Sequence, residues 1–259
     1  MSSDIKAIPE AAVPARLEWH VARVLDVLNE TPRARTLVLD VPQWPGHRAG
    51  QHVDVRLVAE DGYQAQRSYS IASPPEDRTV SLTVERLDDG EVSPYLVDEL
   101  RRGDGLEIRG PIGGYFVWDV AVGGPLLLVA GGSGIVPLMA MLRRRARADA
   151  SARAAVPVRV LYSARTPDDA IYRAELEQLT DPPLVEVAFT FTRSAPPTWT
   201  GYRRRIDRTM LESVIWPPSA GPHAFVCGPT VLVESVASLL VELGHAASRV
   251  RTERFGPTG

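Results

Sequence analysis

Cysteine is nearly absent from this sequence, since Cys227 is the only one among 259 residues. An internal disulfide is therefore excluded, and so is an iron-sulfur cluster held by four thiolates of this chain. If this chain carries electrons, it needs another carrier.

Long apolar runs and a strong excess of one charge are missing as well. No segment reaches the roughly 18 apolar residues of a membrane-spanning helix, and residues 1–16 contain no apolar stretch of signal-peptide length. The formal net charge of −3 gives no electrostatic reason to expect nucleic acid or an acidic membrane surface as a partner. We therefore predict a cytoplasmic protein, expected to be a monomer, that binds neither nucleic acid nor membrane.

The two halves of the chain differ in the period of their apolar residues. Up to residue 122, apolar and polar residues alternate in short runs separated by turn residues, as in Val53, Val55 and Leu57, and one helix is predicted over Ser93–Arg102. This pattern predicts antiparallel strands closed into a small barrel over residues 16–122, after a flexible arm of residues 1–15.

In the second half, continuous apolar runs alternate with helix-like stretches. Strands that are buried on both faces have this pattern, which predicts a parallel sheet wrapped by helices over residues 123–259. The four runs are Leu126–Ala130, Val158–Tyr162, Val185–Phe191 and Ala224–Cys227.

A glycine-rich segment, Gly131-Gly132-Ser133-Gly134-Ile135-Val136-Pro137, follows the first of these runs. Glycines let a backbone approach a ligand closely, and free amides at a helix start favour an anionic group. The spacing differs from the Gly-x-Gly-x-x-Gly dinucleotide fingerprint, so a tight strand-to-helix turn without a ligand is the alternative. Bases near the end of the same predicted helix complement its dipole, with a docking patch for an acidic ferredoxin or flavodoxin as the alternative. These bases are Arg143, Arg144, Arg145 and Arg147.

Two segments of the first half could hold phosphate. Arg67-Ser68-Tyr69-Ser70-Ile71-Ala72-Ser73 places a guanidinium, an aromatic ring and hydroxyls on one predicted strand, with the odd-numbered side chains on one face up to Ile71. In Gly90-Glu91-Val92-Ser93, the serine can cap the following helix, whose dipole can help to neutralise an anion. An ordinary exposed strand and a plain serine cap are the alternatives.

With four further motifs, these segments resemble the ferredoxin-NADP reductase superfamily. The motifs occur in the order found there, and six ordered motifs are far more specific than any one alone. They are Arg67-x-Tyr69-Ser70, Gly90-x-Val92-Ser93, Gly110-Pro111-Ile112-Gly113, Gly131-Gly132-Ser133-Gly134-Ile135-x-Pro137, Cys227-Gly228-Pro229 and Glu253-Arg254-Phe255. The resemblance implies an N-terminal antiparallel six-stranded Greek-key β-barrel that binds FAD. It also implies a C-terminal α/β domain with a parallel five-stranded sheet that binds a nicotinamide nucleotide.

The resemblance also implies roles for residues of the barrel. Arg67 and Ser93 would hold the FAD pyrophosphate, where a bidentate guanidinium suits phosphate oxygens better than lysine does. Tyr69 would lie against the flavin and its ribityl chain, and Ser70 would lie near flavin N5, the hydride acceptor. The other barrel residues expected at the cofactor are Ile71, Gly90 and Val92.

In the second half, the resemblance places the Cys227 thiol near nicotinamide C4, with Gly228 and Pro229 beside it; a small apolar core residue is the alternative. Glu253 and Phe255 resemble the acidic and aromatic pair of plant-type members, where the aromatic ring shields the flavin and moves to admit nicotinamide. This chain has Phe where those members have Tyr, and it continues through residues 256–259. The residues expected to be catalytic are Ser70, Cys227, Glu253 and Phe255.

For the nucleotide we predict NADPH, with NADH as the alternative. Cationic groups after the second strand of a nucleotide domain favour the extra phosphate of NADPH, whereas an acid there favours NADH. The sequence offers Ser163, Arg165 and Arg193, although Asp168 and Asp169 lie close by. The loop residues Gly131, Gly132, Ser133 and Gly134 are expected at the same nucleotide.

These features predict an FAD-dependent NAD(P)H oxidoreductase. Hydride would pass from nicotinamide C4 to flavin N5, and electrons would then leave directly from the flavin to a separate redox protein such as a ferredoxin, a flavodoxin or an oxygenase component. The alternatives are a reductase of small acceptors such as free flavins or quinones, and a flavin- or nucleotide-binding module without turnover. No metal site is expected, because the five histidines show no metal-ligand spacing.

Overall fold

The computed structural model describes residues 17–59 and 61–255, so the expectations for residues 1–15 and 256–259 lie outside the described residues. The first half folds into six antiparallel strands in the spatial order β4-β3-β6-β1-β2-β5, and a bridge between Ile71 and Leu82 joins the two edges. The strands are β1 (Trp19–Thr31), β2 (Ala34–Asp40), β3 (His52–Val58), β4 (Gln64–Ser70), β5 (Val80–Glu85) and β6 (Gly105–Ile112). The predicted six-stranded Greek-key barrel is confirmed.

The helix predicted over Ser93–Arg102 is shorter than expected. It is a single π-type turn, Tyr95–Glu99, and it ends because Leu100 adopts an extended backbone and buries its side chain in the barrel core. A tight turn follows, in which the Arg101 N–H donates to the Asp104 carboxylate over 2.7 Å. Burial of Leu100 and this side-chain hydrogen bond therefore override the helical pattern.

The second half contains five parallel strands in the order β11-β10-β7-β8-β9, which confirms the predicted sheet. They are β7 (Leu126–Gly131), β8 (Val158–Ala164), β9 (Val185–Phe191), β10 (His223–Pro229) and β11 (Val250–Phe255). β11 lies at the sheet edge, and Val250 is its only buried residue. The sequence therefore contains no apolar run that predicts this strand.

Helices cover both faces of this sheet. Helices α1 (Ile135–Ala146) and α3 (Arg173–Leu179) pack on the face that also contacts barrel residues such as Phe116. The opposite face packs against α4 (Arg208–Val214) and α5 (Thr230–Glu242), and a short helix, α2 (Ala150–Ala154), follows α1. Among the described helices, none is long and apolar enough to cross a membrane. The barrel's last strand ends before β7 begins, and the domain limit near residue 122 stays a prediction.

Candidate active site

A cleft of about 400 Å³ lies where the end of β4 meets β11. Ser68 and Ser70 border it from the barrel, and Glu253 and Phe255 border it from the parallel sheet. Alternation along β4 explains this placement, because the two serines share a face that turns away from the barrel core, whereas Tyr69 packs against that core. The structure thus brings together three of the four residues expected to be catalytic, and their roles stay predictions.

Burial controls the two polar groups at the centre of this cleft. It raises the pKa of the Glu253 carboxyl to about 7, and the nearby Ser70 hydroxyl opposes part of that rise without reaching hydrogen-bond geometry. Ser70 Oγ is buried and has no hydrogen-bond partner within the described residues. Because a buried hydroxyl without a partner costs free energy, this atom is suited to a polar atom of a ligand that enters the cleft.

His52 also borders the cleft, although the sequence motifs assign no histidine to the site. It lies opposite Ser70 in the β3–β4 pairing, and burial lowers the pKa of its imidazole. Opposite residues of paired strands share a face, so the β3–β4 register is the signal that could have identified it. The sequence motifs also missed Gly50, Tyr115, Phe116 and Thr252, which line the same cleft.

Arg67 and the Gly90–Ser93 segment are neighbours on the other face of β4. Arg67 Nη2 donates to Glu91 Oε2 over 2.8 Å, and both side chains are about half exposed. The Ser93 hydroxyl is buried and accepts from the Leu87 N–H over 3.1 Å, so it caps the preceding turn and not the helix that follows. A guanidinium and a turn suited to phosphate therefore lie together, with one carboxylate between them.

Several expected cofactor residues are buried in the barrel. The side chains of Ile71 and Val92 belong to the barrel core, so only their backbones can face a ligand. Tyr69 is largely buried against that core, and burial raises the pKa of its hydroxyl. Its ring and the Ser70 hydroxyl lie on different faces of β4, so a ligand that touches both must cross the strand end.

The glycine loop packs against the turn at the end of β10. A Cβ atom on Gly134 would overlap the Cys227 carbonyl oxygen, and one on Gly228 would lie 2.8 Å from the Gly131 carbonyl oxygen. These glycines therefore serve contacts between backbones of the protein, as the tight-turn alternative proposed. Gly132 differs, because its φ is +53° and the nearest atom to its Cβ position is Glu85 Oε2 at 3.7 Å. The backbone at Gly132 therefore has open space beside the Glu85 carboxylate.

Cys227 lies in the core and does not border the cleft. It pairs with Glu253 on one side and Ala130 on the other, at the carboxyl end of the sheet. Burial, followed by the charge of Glu253, raises the pKa of the thiol well above its ordinary value. The thiol therefore stays neutral, and its place beside nicotinamide stays a prediction.

Arg165 and Arg193 lie side by side at the carboxyl ends of β8 and β9. The Arg193 N–H donates to the Arg165 carbonyl oxygen over 2.8 Å, and both residues are exposed. Ser163 is buried and pairs with Gly131 of the glycine loop. Ligands of open α/β sheets bind at the carboxyl ends of the strands, so these two residues lie near the expected position of a nucleotide.

Comparisons with known proteins match the two halves of the chain to two families of domains. The family model "Oxidoreductase FAD-binding domain" matches residues 25–117, and the model "Oxidoreductase NAD-binding domain" matches residues 128–238. The FAD/NAD-binding domain of nitric oxide dioxygenase from Vibrio cholerae shares the fold, with a TM-score of 0.79 and 22% identity over 92% of this chain and 99% of that chain.

Curated relatives extend the comparison to whole sequences. The glycine betaine monooxygenase reductase subunit of Chromohalobacter salexigens is 35% identical over 92% of this chain, which spans 65% of that relative's length. Ferredoxin–NADP reductase B of Sorangium cellulosum is 36% identical over 80% of this chain and 84% of its own length. With its FAD-binding barrel and NAD-binding sheet, the chain belongs to the ferredoxin-NADP reductase superfamily.

Proposed function

We propose that this chain is an FAD-dependent NAD(P)H reductase that passes electrons to a separate redox protein. The observation that carries the proposal is the cleft at the seam of the FAD-binding barrel and the NAD-binding sheet, with Ser70 on one side and Glu253 on the other. The buried Ser70 hydroxyl lacks a hydrogen-bond partner within the described residues, and a ring nitrogen of a flavin would supply one.

The residues of the barrel suit FAD. Arg67 would hold the pyrophosphate with the backbone of Gly90–Ser93, because a guanidinium binds phosphate oxygens in a bidentate manner. It would then exchange its present partner, Glu91, for the cofactor. When bound, FAD supplies a hydride acceptor that can release its electrons one at a time.

The residues of the cleft would orient the reactants and exclude water. Hydride transfer needs the donor carbon and the acceptor atom within about 3 to 3.5 Å, so positioning is the main catalytic contribution of the chain. Phe255 would cover the site until nicotinamide enters. Glu253, with a pKa of about 7, can take up or release a proton beside Ser70 near neutral pH.

We propose NADPH as the preferred donor. Arg165 and Arg193 support this choice, because both are exposed, their backbones are hydrogen-bonded to each other, and cationic groups at this end of the sheet favour the additional phosphate. Replacement of either by alanine should raise the KM for NADPH about tenfold, since a charge-assisted hydrogen bond contributes about 1.5 kcal/mol or more. The KM for NADH should stay unchanged. A wild-type protein that prefers NADH would refute this part of the proposal.

We propose a protein electron acceptor, in the cytoplasm. The support is that one relative is named a monooxygenase reductase subunit and another a ferredoxin–NADP reductase. Saturable reduction of one carrier protein at low micromolar concentration is the expected result. Equal rates with free flavins or quinones and no preferred carrier would favour the reductase of small acceptors.

The decisive experiment is to purify the protein, record its flavin absorbance and follow anaerobic bleaching by NADPH and by NADH in a stopped-flow instrument. We expect bound FAD and rapid bleaching. A Ser70→Ala variant should bind FAD and bleach more slowly, because Ser70 lies in the cleft. If no flavin spectrum appears even after FAD is added, the proposed function is wrong; if flavin binds but is not bleached, the chain is a binding module.

A further inference from the structure

Three of the four arginines near the end of α1, Arg143, Arg144 and Arg147, contact the barrel in addition to lying where bases complement the helix dipole. Arg144 pairs with Glu76 over 2.6 Å and with Asp119 over 2.9 Å, and Arg147 pairs with Asp77 over 2.9 Å. Glu76 and Asp77 belong to the loop that follows β4. Because acids of the same chain already neutralise these arginines, they are poorly suited to dock an acidic partner.

Arg143 makes the most extensive of these contacts. Its Nε and Nη2 atoms donate to the two carboxylate oxygens of Glu175 over 2.8 and 2.6 Å, and its Nη1 atom donates to the Ala72 carbonyl oxygen over 2.9 Å. The guanidinium carbon lies 4.7 Å from the centre of the Tyr172 ring. All three guanidinium nitrogen atoms therefore donate hydrogen bonds, and one face of the group packs on the Tyr172 ring. A lysine ammonium group could not make this set of contacts.

The contact with Ala72 joins the two binding regions of the protein. Ala72 lies two residues after Ser70, whose hydroxyl faces the cleft. Helix α1, which carries Arg143 in its last turn, begins directly after Gly134 of the glycine loop. One rigid helix of 12 residues, about 18 Å long, thus connects the expected nucleotide loop to the end of β4.

Tyr172, a residue of the nucleotide-binding half, packs against Arg143 and also bonds to the barrel. Its φ of +58° lies in the left-handed region, which is disfavoured for a large side chain and persists only where surrounding contacts enforce it. Its buried hydroxyl forms a hydrogen bond with Thr83 of β5, and Thr83 Oγ1 lies 2.6 Å from Thr36 Oγ1 of β2. The nucleotide-binding half therefore contacts the outer face of β2 and β5 next to Arg143.

We propose that Arg143 is a positioning residue for hydride transfer, which it serves by holding the Ser70 end of β4 at a fixed place relative to the glycine loop. The inference rests on the proposed function. Arg143 does not border the cleft, so it acts through Ala72 and not on the cofactors themselves. A displacement of about 1 Å in a reacting pair can lower a rate about 100-fold, so loss of this contact should reduce the rate of transfer and leave binding intact.

The test compares Arg143→Gln and Glu175→Gln with the wild-type protein. Flavin reduction is measured in anaerobic single-turnover experiments over a range of NADPH concentrations. For Arg143→Gln we expect the limiting rate to fall at least tenfold, with the Kd for NADPH and the FAD content within twofold of wild type. Glu175→Gln keeps the Arg143 guanidinium but removes its carboxylate partner, so a smaller decrease in the limiting rate is expected. Arg147→Gln, directly after the same helix, removes only the more exposed pair with Asp77; it is the control and should stay within twofold.

A second measurement does not depend on turnover. Hydrogen exchange of the peptide covering residues 70–77, without FAD, should be faster in Arg143→Gln than in wild type and unchanged at the barrel core. An unchanged limiting rate would overturn the proposal, and so would a rate loss that only follows a loss of FAD or of NADPH affinity. If wild type itself takes up no FAD, the proposed function fails, and the exchange result separately decides whether Arg143 restrains β4.

Discussion

Glu253 allows a quantitative test of the electrostatics of the cleft. Its carboxyl has an ordinary pKa of 4.5, and burial raises this pKa to about 7. Since one pH unit corresponds to about 1.4 kcal/mol, the coupling between protonation and folding is at most about 3 kcal/mol. The folded protein binds this proton more tightly than the unfolded chain does. The contribution of Glu253 is therefore fully present below pH 4.5 and is lost as the pH rises through about 7.

Replacement of Glu253 by Gln removes this titration and preserves the size of the side chain. The free energy of unfolding is measured with urea at pH 5, 6, 7 and 8. As the pH rises over this range, the wild-type value should fall relative to that of the variant by up to about 3 kcal/mol. Glu234→Gln is the control, because it removes an equal charge from an exposed pair with Arg254. Its curve should stay within about 0.5 kcal/mol of parallel to wild type. If the Glu253→Gln curve is also parallel to wild type, the raised pKa is refuted.

Four further predictions concern cofactor binding and the glycine loop. Arg67→Lys should weaken FAD binding about tenfold in a calorimetric titration, because lysine cannot bind phosphate in a bidentate manner; unchanged affinity would contradict its expected role. Gly134→Ala should lower the stability by about 1 to 3 kcal/mol in thermal melts, since its Cβ would overlap the Cys227 carbonyl. Gly132→Ala meets no overlap but places a Cβ at a φ of +53°, which costs about 1 to 2 kcal/mol, and it should also weaken NADPH binding; unchanged NADPH affinity would remove Gly132 from the site. A double alanine variant of Arg165 and Arg193 should lose the preference for NADPH over NADH in kcat/KM, and a retained preference would remove these residues from the site.

Local sequence patterns predicted the strands whose own residues form an apolar run. The apolar run Leu126–Ala130 lies within β7, because a strand inside a parallel sheet buries both faces. β11 has no such run, since every side chain after Val250 is at least partly exposed. The predicted helix after Ser93 was too long because the pattern could not show that the Leu100 side chain turns into the barrel.

The candidate site was predictable only where a motif carried it. Ser70, Glu253 and Phe255 were identified through the resemblance, and the structure brings them to one cleft. His52 was missed because its place depends on the pairing of β3 with β4, which no local pattern specifies. The contact of Arg143 with Ala72 was missed for the same reason, as it joins segments that are 71 positions apart.

The unpaired edge of β4 supports the proposal that a ligand binds along this strand, where the motifs predict one. Gln64–Ser70 pairs with β3 on one side, and only the bridge at Ile71 joins the other edge to β5. A free strand edge exposes backbone donors and acceptors, and proteins normally cover it. Arg67 lies on one face of this edge and Ser70 on the other, so a molecule that contacts both must run along it. A long cofactor such as FAD would cover the edge and reach the cleft, whereas a ligand confined to the cleft would leave it open.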